Sequence, residues 1–439
     1  MINKDACVCI IGAGCSGLTA IKNMVQAGIK NVVCYEQNPW VGGNWKYTAE
    51  VGHSSVCSTT HIISSKTLSE YTDYPMPDHY PDYPSHQQVL EYFESYADHF
   101  GLRAYIRFNS KIENINKNTD NQWIVKIENG DSAVYDYLLI ASGHHSVPRH
   151  PQFNGEFKGE YLHSHSFKNN EGFEDKKVLV IGAGNSGCDC AVEISRVAEK
   201  VDISLRTPQY IIPKFFLGRA SDTFNENLLW VPNFIRRLLL KLSVRLQVGK
   251  YSDYGLPNPT HDILEAHPTI NSELLYKIRH GKVYPKSGIE KIENKTVHFK
   301  DGTSHEYDVV LAATGYKIST PFFDKDFLDY SDSNRVPLYL RVFHPAHRNL
   351  FFIGLIQPQG AVWPASDLQA KLVANHIIGN WDLPENLEEL AQKDSDQIDQ
   401  LFLKRKRHAI EVNYHRHIRD LKKQIPKNAP ECTTSNVSI

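Results

Sequence analysis

Two glycine-rich segments contain the residue types and spacing that binding a dinucleotide requires. Each segment follows a short apolar run and precedes an apolar pattern of helical period. A glycine turn between a strand and a helix lets the backbone approach a pyrophosphate, whose charge is stabilised at the positive helix N-terminus. One copy is weak evidence, but two copies in the same context predict two dinucleotide sites. The candidate residues are Gly12, Gly14, Ser16 and Gly17 in the first copy and Gly182, Gly184, Asn185, Ser186 and Gly187 in the second.

The residue that follows the second strand of each unit distinguishes the two ligands. Glu36 ends the apolar run that begins at Val32, and its carboxylate can bind a ribose diol while repelling a 2′-phosphate. Arg206 stands at the equivalent place and offers a planar cation suited to a 2′-phosphate, with the hydroxyl of Thr207 beside it. The first unit is therefore predicted to bind the adenosine half of FAD, and the second to bind NADPH. An ordinary surface cation is the alternative interpretation of Arg206.

Three further residues are candidates for the FAD site. Gly43 and Trp45 belong to a Gly-Gly-Asn-Trp segment, in which glycine permits close backbone approach and the indole supplies a flat face. Gln357 lies in a loop before a helical pattern at about residues 365 to 375, and a helix N-terminus stabilises the negative charge of a reduced flavin. A turn with a core tryptophan, and a strand, loop and helix without a ligand, are the alternatives.

These segments require an α/β fold with two Rossmann-like dinucleotide-binding domains. Strand-like runs at Leu138–Gly143 and Val309–Gly315 lead out of or back into the two sheets. The FAD domain is predicted to be discontinuous, with residues 1–165 and 301–425, and the NADPH domain to be inserted at residues 166–300. A helical insert is expected at about residues 210–256, and a disordered tail at residues 426–439.

Composition limits the partners. The 439 residues include 48 Lys and Arg against 50 Asp and Glu, so no global field attracts nucleic acid. The eight cysteines lack metal-site spacing, which predicts reduced thiols and no metal site. The N-terminus shows no signal-peptide pattern, and a cytoplasmic protein is expected. A homodimer is the default expectation for its oligomeric state.

The insert contains a basic amphipathic pattern. After Pro232, leucines alternate with Arg237, Lys241 and Arg245 at four-residue steps. This charge load excludes a membrane-spanning helix, and no transmembrane anchor is expected. The pattern predicts a lid or core helix, with peripheral membrane contact as the alternative.

Three further segments carry a resemblance to a known family. Phe157–Phe167 has the pattern FxGxxxHxxxF, Ala313–Tyr316 reads Ala-Thr-Gly-Tyr, and Gly354–Pro358 reads Gly-Leu-Ile-Gln-Pro. With these motifs the chain resembles the flavin-containing monooxygenases, a branch of the class B flavoprotein monooxygenases, over nearly its whole length. The resemblance implies that NADPH reduces FAD and that O2 then gives a C4a-hydroperoxide on the flavin. A soft N or S atom of a small-molecule substrate takes the distal oxygen. In the signature, His163 is interpreted as a structural linker residue.

One position departs from the family pattern. Ile63 occupies the place of the family's active-site asparagine, and its side chain cannot donate a hydrogen bond. Ser64 is the candidate substitute donor and the one catalytic candidate. The departure leaves open an NADPH oxidase that releases hydrogen peroxide. Baeyer-Villiger oxidation or oxidative decarboxylation is a further alternative, since Tyr254–Pro257 resembles a decarboxylating plant branch. A disulfide reductase is disfavoured because Cys57 has no redox partner in sequence.

Overall fold

The computed structural model describes residues 4–50, 52–128, 130–402 and 408–430. The helices in these residues are α1 (Cys15–Gln26), α2 (Lys66–Ser69), α3 (His86–His99), α4 (Asn185–Ile194), α5 (Ser221–Glu226), α6 (Asn233–Val248), α7 (Glu273–Arg279), α8 (Trp363–Ile377), α9 (Leu387–Leu401) and α10 (Tyr414–Gln424).

The first twelve strands in the described residues are β1 (Cys7–Ile11), β2 (Asn31–Tyr35), β3 (Ile106–Arg107), β4 (Ile112–Lys117), β5 (Trp123–Ile127), β6 (Ser132–Tyr135), β7 (Tyr137–Ile140), β8 (Val147–Pro148), β9 (Glu160–His163), β10 (Lys177–Ile181), β11 (Lys200–Ser204) and β12 (Ile211–Ile212). They are followed by β13 (Phe215–Phe216), β14 (Arg219–Ala220), β15 (Thr269–Ile270), β16 (Val283–Lys286), β17 (Ile289–Glu293), β18 (Thr296–Phe299), β19 (Ser304–Glu306), β20 (Val309–Ala312), β21 (Tyr316–Lys317), β22 (Leu350–Phe352), β23 (Gln357–Pro358) and β24 (Glu411–Val412).

The chain divides into two compact units. Unit 1 contains Met1–Lys46, Lys66–Ser146 and Lys317–Ile439, and unit 2 contains Tyr47–Ser65 and Val147–Tyr316. The predicted boundaries differ from this division, because residues 47–65, 147–165 and 301–316 lie in unit 2. The physical reason for two of these segments is strand pairing, since β9 and β20 are parallel neighbours in the sheet that contains β10. The assignment of one cofactor to each unit stays a prediction.

Unit 1 is built on a sheet of five parallel strands in the order β22-β7-β1-β2-β3. Cys9 and Ile10 on the central strand are fully buried, as expected for a parallel strand with both faces covered. The chain passes from β1 to β2 on one side of β1, and it later returns through β7 on the other side. An α/β sheet binds ligands at the carboxyl ends of its strands where the order reverses in this way, which places the first glycine loop at that point.

Unit 2 repeats this plan with five parallel strands in the order β16-β11-β10-β20-β9. The central strand β10 precedes the second glycine loop. Helix α6 contributes Leu240, Val244 and Val248 to the apolar core of the unit. The predicted helix in the insert and its packing on the core are therefore confirmed for one face of α6, and the insert also contains the short strands β12, β13 and β14.

Three smaller expectations concern cysteines, the tail and membrane spans. The seven described cysteines are free thiols, and Cys432 lies outside the described residues. Residues 426–430 differ from the predicted disorder, since Ala429 is buried and donates its N–H to Pro426 O at 3.0 Å. The rest of the predicted tail lies outside the described residues. Within the described ranges, no helix combines the length and apolarity needed to cross a membrane.

Candidate functional site

The first glycine loop brings β1 and α1 as close as backbone atoms allow. A Cβ atom on Gly17 would lie 1.7 Å from the carbonyl oxygen of Gly12, so no side chain fits there. Gly12 has a φ of +97°, which favours glycine, and its N–H donates to Tyr35 O at 2.8 Å. A Cβ on Gly14 would lie 3.7 Å from Gly43 Cα. The loop and the segment around Gly43 therefore form one cradle of bare backbone.

The N-terminus of α1 has no side-chain cap. Gly14 occupies the cap position in an extended conformation and has no side chain that could accept from the first turn. In α3, by contrast, Ser85 and Gln88 form a complete capping box. The N–H groups of the first turn of α1 are thus open to an anionic ligand, and the cradle fits a pyrophosphate on both steric and electrostatic grounds.

Glu36 is held against this loop. Its Oε2 accepts the N–H of Ala13 at 2.8 Å, while Oε1 accepts the backbone and side-chain N–H groups of Asn38 at 2.9 and 2.7 Å. Burial raises the pKa of this carboxyl, and the same hydrogen bonds oppose the rise. A carboxylate has about four acceptor positions, so Glu36 retains capacity for a ribose hydroxyl.

The N-terminus of α8 meets that of α1. The hydroxyls of Ser16 and Ser366 lie 3.0 Å apart. Gly354 is required beside them, because its φ is +75° and a Cβ there would lie 2.0 Å from Ser16 Oγ. The ring of Trp45 packs edge-on against Trp363, the first residue of α8, with centroids 5.7 Å apart. The structure thus gathers Ser16, Trp45 and the glycine cradle around two helix N-termini.

Gln357 is fixed through its backbone. Its N–H donates to Ile410 O at 2.7 Å, and β23 pairs in parallel with β24. This pairing anchors the loop between Gly354 and α8.

A buried ionic network joins α1 to α8. Lys22 Nζ lies 2.6 Å from both Asp73 Oδ2 and Asp367 Oδ1, and Asp367 also accepts from Thr19 and Asn23. Burial disfavours the Lys22 ammonium, but attraction to Asp367 and Asp73 outweighs burial and raises its pKa. Sequence reasoning missed this network. The available signal was a lysine among apolar residues of a core helix.

The second glycine loop has the same construction in unit 2. A Cβ on Gly187 would lie 2.0 Å from Gly182 O, and Gly182 has a φ of +101°. The N–H of Gly182 donates to Ser204 O at 2.9 Å, and Gly184 precedes α4 without a side-chain cap. Ser186 is exposed in the first turn of α4. This loop therefore offers a second pyrophosphate cradle.

Polar groups from the 269–271 segment support this loop, and sequence reasoning missed them. Thr269 Oγ1 donates to Ala183 O at 2.9 Å, and the N–H of Ile270 donates to Asn185 Oδ1 at 2.7 Å. The amide oxygen of Asn185 therefore helps to hold its own loop. Asn271 Nδ2 donates to Asp189 Oδ1 at 2.7 Å, and desolvation raises the pKa of Asp189 to about 6.

Arg206 and Thr207 follow β11 and are both exposed. Arg206 forms no ion pair with any residue in the described ranges. The guanidinium is thus available to a ligand at the carboxyl end of the sheet.

Ser64 and Ile63 are half-buried in the 47–65 segment of unit 2. Among the hydrogen bonds that join this segment to the rest of the unit, two lie beside Ser64. The N–H of Ser65 donates to Asp222 Oδ2 at 2.6 Å, and Lys214 Nζ donates to Ile62 O at 3.1 Å. The catalytic role of Ser64 stays a prediction.

His163 is the last residue of β9 in the second sheet, and it is buried. Its Nδ1 accepts the N–H of His165 at 3.1 Å, and its ring packs edge-on against Tyr316. Burial lowers the pKa of His163 to about 4, so the ring is neutral near pH 7. This environment suits a structural residue of the linker.

Comparison with known proteins identifies the family. Residues 5–433 match the model of the flavin-binding monooxygenase-like family. The chain is 34% identical to human flavin-containing monooxygenase 5, over 93% of this chain and 80% of that protein. It is 32% identical to dimethylaniline monooxygenase [N-oxide-forming] 2 of Pan troglodytes, over 97% of this chain and 84% of that protein.

A solved structure shares the fold. S-allyl-L-cysteine S-oxygenase from Allium sativum matches with a TM-score of 0.73 and 21% identity, over 97% of this chain and 90% of that one. Together with the two cradles, these findings confirm the predicted α/β fold with two dinucleotide-binding domains. The chain belongs to the flavin-containing monooxygenase family and is a flavin-dependent monooxygenase whose cofactors are FAD and NADPH.

Proposed function

We propose that this monooxygenase oxygenates a soft N or S atom of a small-molecule substrate, with O2 as the oxygen source. The observation that supports this proposal is the N-oxide-forming relative, which aligns with 97% of the chain. The balanced reaction consumes one O2, one NADPH and one proton. It yields the N-oxide or sulfoxide, one water and NADP⁺.

In this proposal, unit 1 holds FAD. The cradle of Gly12, Gly14, Gly17 and Gly43 receives the pyrophosphate, because glycine leaves the backbone bare there and no side chain fits at Gly12 or Gly17. Glu36 would accept from the ribose. The N-terminus of α8, which contacts Ser16 and Trp45 and follows the Gln357 loop, would stabilise negative charge on the flavin. When bound, FAD supplies electron transfer from NADPH and activation of O2.

Unit 2 holds NADPH by the same physical means. Gly182, Gly184 and Gly187 leave room for the pyrophosphate, and the first turn of α4, with Asn185 and Ser186, donates to it. Arg206 and Thr207 then recognise the 2′-phosphate. Ser64 is proposed as a hydrogen-bond donor in the reaction, in place of the amide that Ile63 lacks.

Replacing Arg206 by alanine should raise the KM for NADPH at least about tenfold, about 1.4 kcal/mol, while the KM for NADH stays nearly constant. The reason is that NADH lacks the 2′-phosphate that the guanidinium would bind. Steady-state kinetics with both cofactors measures the effect, and Arg219→Ala, another exposed arginine of unit 2, is the matched control. An equal rise in KM for NADPH and NADH would show that Arg206 does not bind the 2′-phosphate.

A second candidate function is that of an NADPH oxidase that releases hydrogen peroxide. Ile63 favours it, since an aliphatic side chain cannot hydrogen-bond to the oxygen species that a coupled monooxygenase must retain. Ser64 lies next to it and provides the nearest hydroxyl in sequence.

Product stoichiometry tests both candidates. The purified holoenzyme is incubated with NADPH and a thioether, a tertiary amine or a cyclic ketone, while NADPH, oxygenated product and peroxide are quantified. We expect sulfoxide or N-oxide to account for most of the NADPH consumed. A lactone as the main product would replace the proposal with Baeyer-Villiger chemistry. If the peroxide formed equals the NADPH consumed with every substrate, the protein is an NADPH oxidase.

A further inference from the structure

A buried glutamine of α8 bonds to the glycine turn that lies beside two helix N-termini. Gln369 is fully buried, and its Oε1 accepts the N–H of Gly354 at 2.8 Å. A Cβ on Gly354 would lie 2.0 Å from Ser16 Oγ and 3.0 Å from Ser366 Oγ. These two serines belong to the first turns of α1 and α8. The hydrogen bond from Gly354 to Gln369 therefore holds the backbone at the point where both helices begin.

A histidine of α10 lies at the other end of this glutamine. Gln369 Nε2 is 3.2 Å from His417 Nε2, and the His417 side chain is buried. The N–H of Gly354 can only donate, so Gln369 turns its oxygen to Gly354 and its NH2 group to His417. That NH2 group can only donate as well, so His417 Nε2 is the acceptor and the ring proton lies on Nδ1. We call Gly354, Gln369 and His417 the hydrogen-bond chain.

The surroundings of His417 keep its ring neutral, as an accepting Nε2 requires. Burial lowers the pKa of His417 to about 3, and the cation of Arg341 acts in the same direction. Arg341 is itself buried and donates to the carbonyl oxygens of Val336 and Asp394 at 2.7 and 3.0 Å. An imidazolium ring would turn a second N–H donor toward Gln369. The hydrogen-bond chain therefore keeps one direction near neutral pH.

Packing of α10 on unit 1 does not depend on these polar groups alone. Leu421 of α10 is fully buried, and Ile418 packs on the apolar cluster that contains Ile356 and Ala365. Burying an amide and an imidazole is costly unless their hydrogen bonds are made. Here those hydrogen bonds lead from α10 to the backbone beside the first turns of α1 and α8.

We propose that Gln369 and His417 are positioning residues for FAD, and that α10 takes part in the flavin site through them. This inference rests on the proposed function, in which unit 1 holds FAD and the N-terminus of α8 stabilises charge on the flavin. Without the hydrogen-bond chain, the N–H of Gly354 lacks its acceptor and the turn relaxes when FAD is absent. FAD must then order the turn on binding, which lowers its affinity even where α8 and α10 remain folded.

Removal of FAD from the full-length holoenzyme, followed by titration with FAD, tests the hydrogen-bond chain. Gln369→Leu and His417→Phe should each raise the dissociation constant of FAD about tenfold, because each leaves a buried donor without its acceptor. His417→Gln places an amide oxygen near the position of Nε2, so it should bind FAD within about threefold of the unchanged protein. The flavin absorption spectrum of the holoenzyme should change in Gln369→Leu and His417→Phe and return in His417→Gln.

Asn375→Leu is the matched control for general damage to α8. Asn375 is another buried amide of this helix, but its Nδ2 donates to Lys371 O at 2.8 Å and its Oδ1 accepts from Asn380 at 2.7 Å, near the C-terminal end. Asn375→Leu should lower the free energy of unfolding of the FAD-free protein, measured by chemical denaturation. Its affinity for FAD and its flavin spectrum should not change.

Two comparisons decide the outcome. The proposal is overturned if Gln369→Leu binds FAD as tightly as the unchanged protein, or if Asn375→Leu loses as much affinity as Gln369→Leu. Where Gln369→Leu does not fold, equal affinity of His417→Phe and His417→Gln overturns it. Gly17→Ala shows which inference has failed: if this variant also keeps FAD, the placement of FAD in unit 1 is wrong, and if it loses FAD, only the role of the hydrogen-bond chain is wrong.

Discussion

Replacing Gly17 by alanine is expected to weaken FAD binding by at least about 100-fold, about 2.7 kcal/mol. The added Cβ would lie 1.7 Å from Gly12 O, a separation that real structures do not tolerate, and the nearby atom is backbone rather than a mobile side chain. Helix α1 must therefore move away from β1. Its first-turn N–H groups then leave the position in which they would bind the pyrophosphate. Titration of the apoprotein with FAD, followed by flavin fluorescence, measures the change.

Gly187→Ala is the matched control, since its Cβ would lie 2.0 Å from Gly182 O in the second loop. This variant should keep its FAD and instead weaken NADPH binding to a similar degree. The pair thus controls for the general cost of overpacking, which is about 1 to 3 kcal/mol. If Gly17→Ala retained FAD, or if the two variants lost the same cofactor, the assignment of one cofactor to each loop would be wrong.

Replacing Lys22 by methionine should destabilise unit 1 by about 3 to 5 kcal/mol. The substitution keeps the volume and removes the cation, which leaves the carboxylate of Asp367 buried with its neutral donors alone. Asp73 loses its partner as well, but it is more exposed and can hydrate. Chemical denaturation followed by release of FAD fluorescence reports on this unit, where the network joins α1 and α8.

Two further variants test this explanation. Lys22→Met/Asp367→Asn removes both charges and should recover at least half of the lost stability, because an unpaired buried charge is the main cost. Lys111→Met breaks an ion pair with Glu128 whose partners are both 58% exposed, and it should cost less than about 1 kcal/mol. A Lys22→Met protein as stable as Lys111→Met would mean that the network contributes little to the fold.

Local patterns in the sequence were sufficient to predict the central strands of the two sheets, the glycine loops and the helices that follow them. Glycine at position 17 is demanded by the carbonyl oxygen of Gly12, five residues earlier, so the motif alone locates the close approach of β1 and α1. The same holds for α6, whose period of apolar residues predicts a helix wherever it packs. The repeat likewise shows that Glu36 and Arg206, which carry opposite charges, occupy equivalent positions in the two units.

Contacts between distant residues were decided only by the tertiary structure. Lys22 and Asp367 are 345 residues apart in the sequence. A charged residue in a core helix indicates that it has a partner of opposite charge, but the sequence does not show which residue that partner is. The support of the second loop by Thr269 and Asn271 depends on a crossing of segments more than 80 residues apart. The boundaries of the two units differ from the predicted ones for the same reason. The strands β9 and β20 pair in one sheet although they are far apart in sequence. Periodicity by itself predicted that α6 is a helix, but only packing decided that Leu240 and Val244 are buried whereas Leu238 and Leu242 stay in solvent.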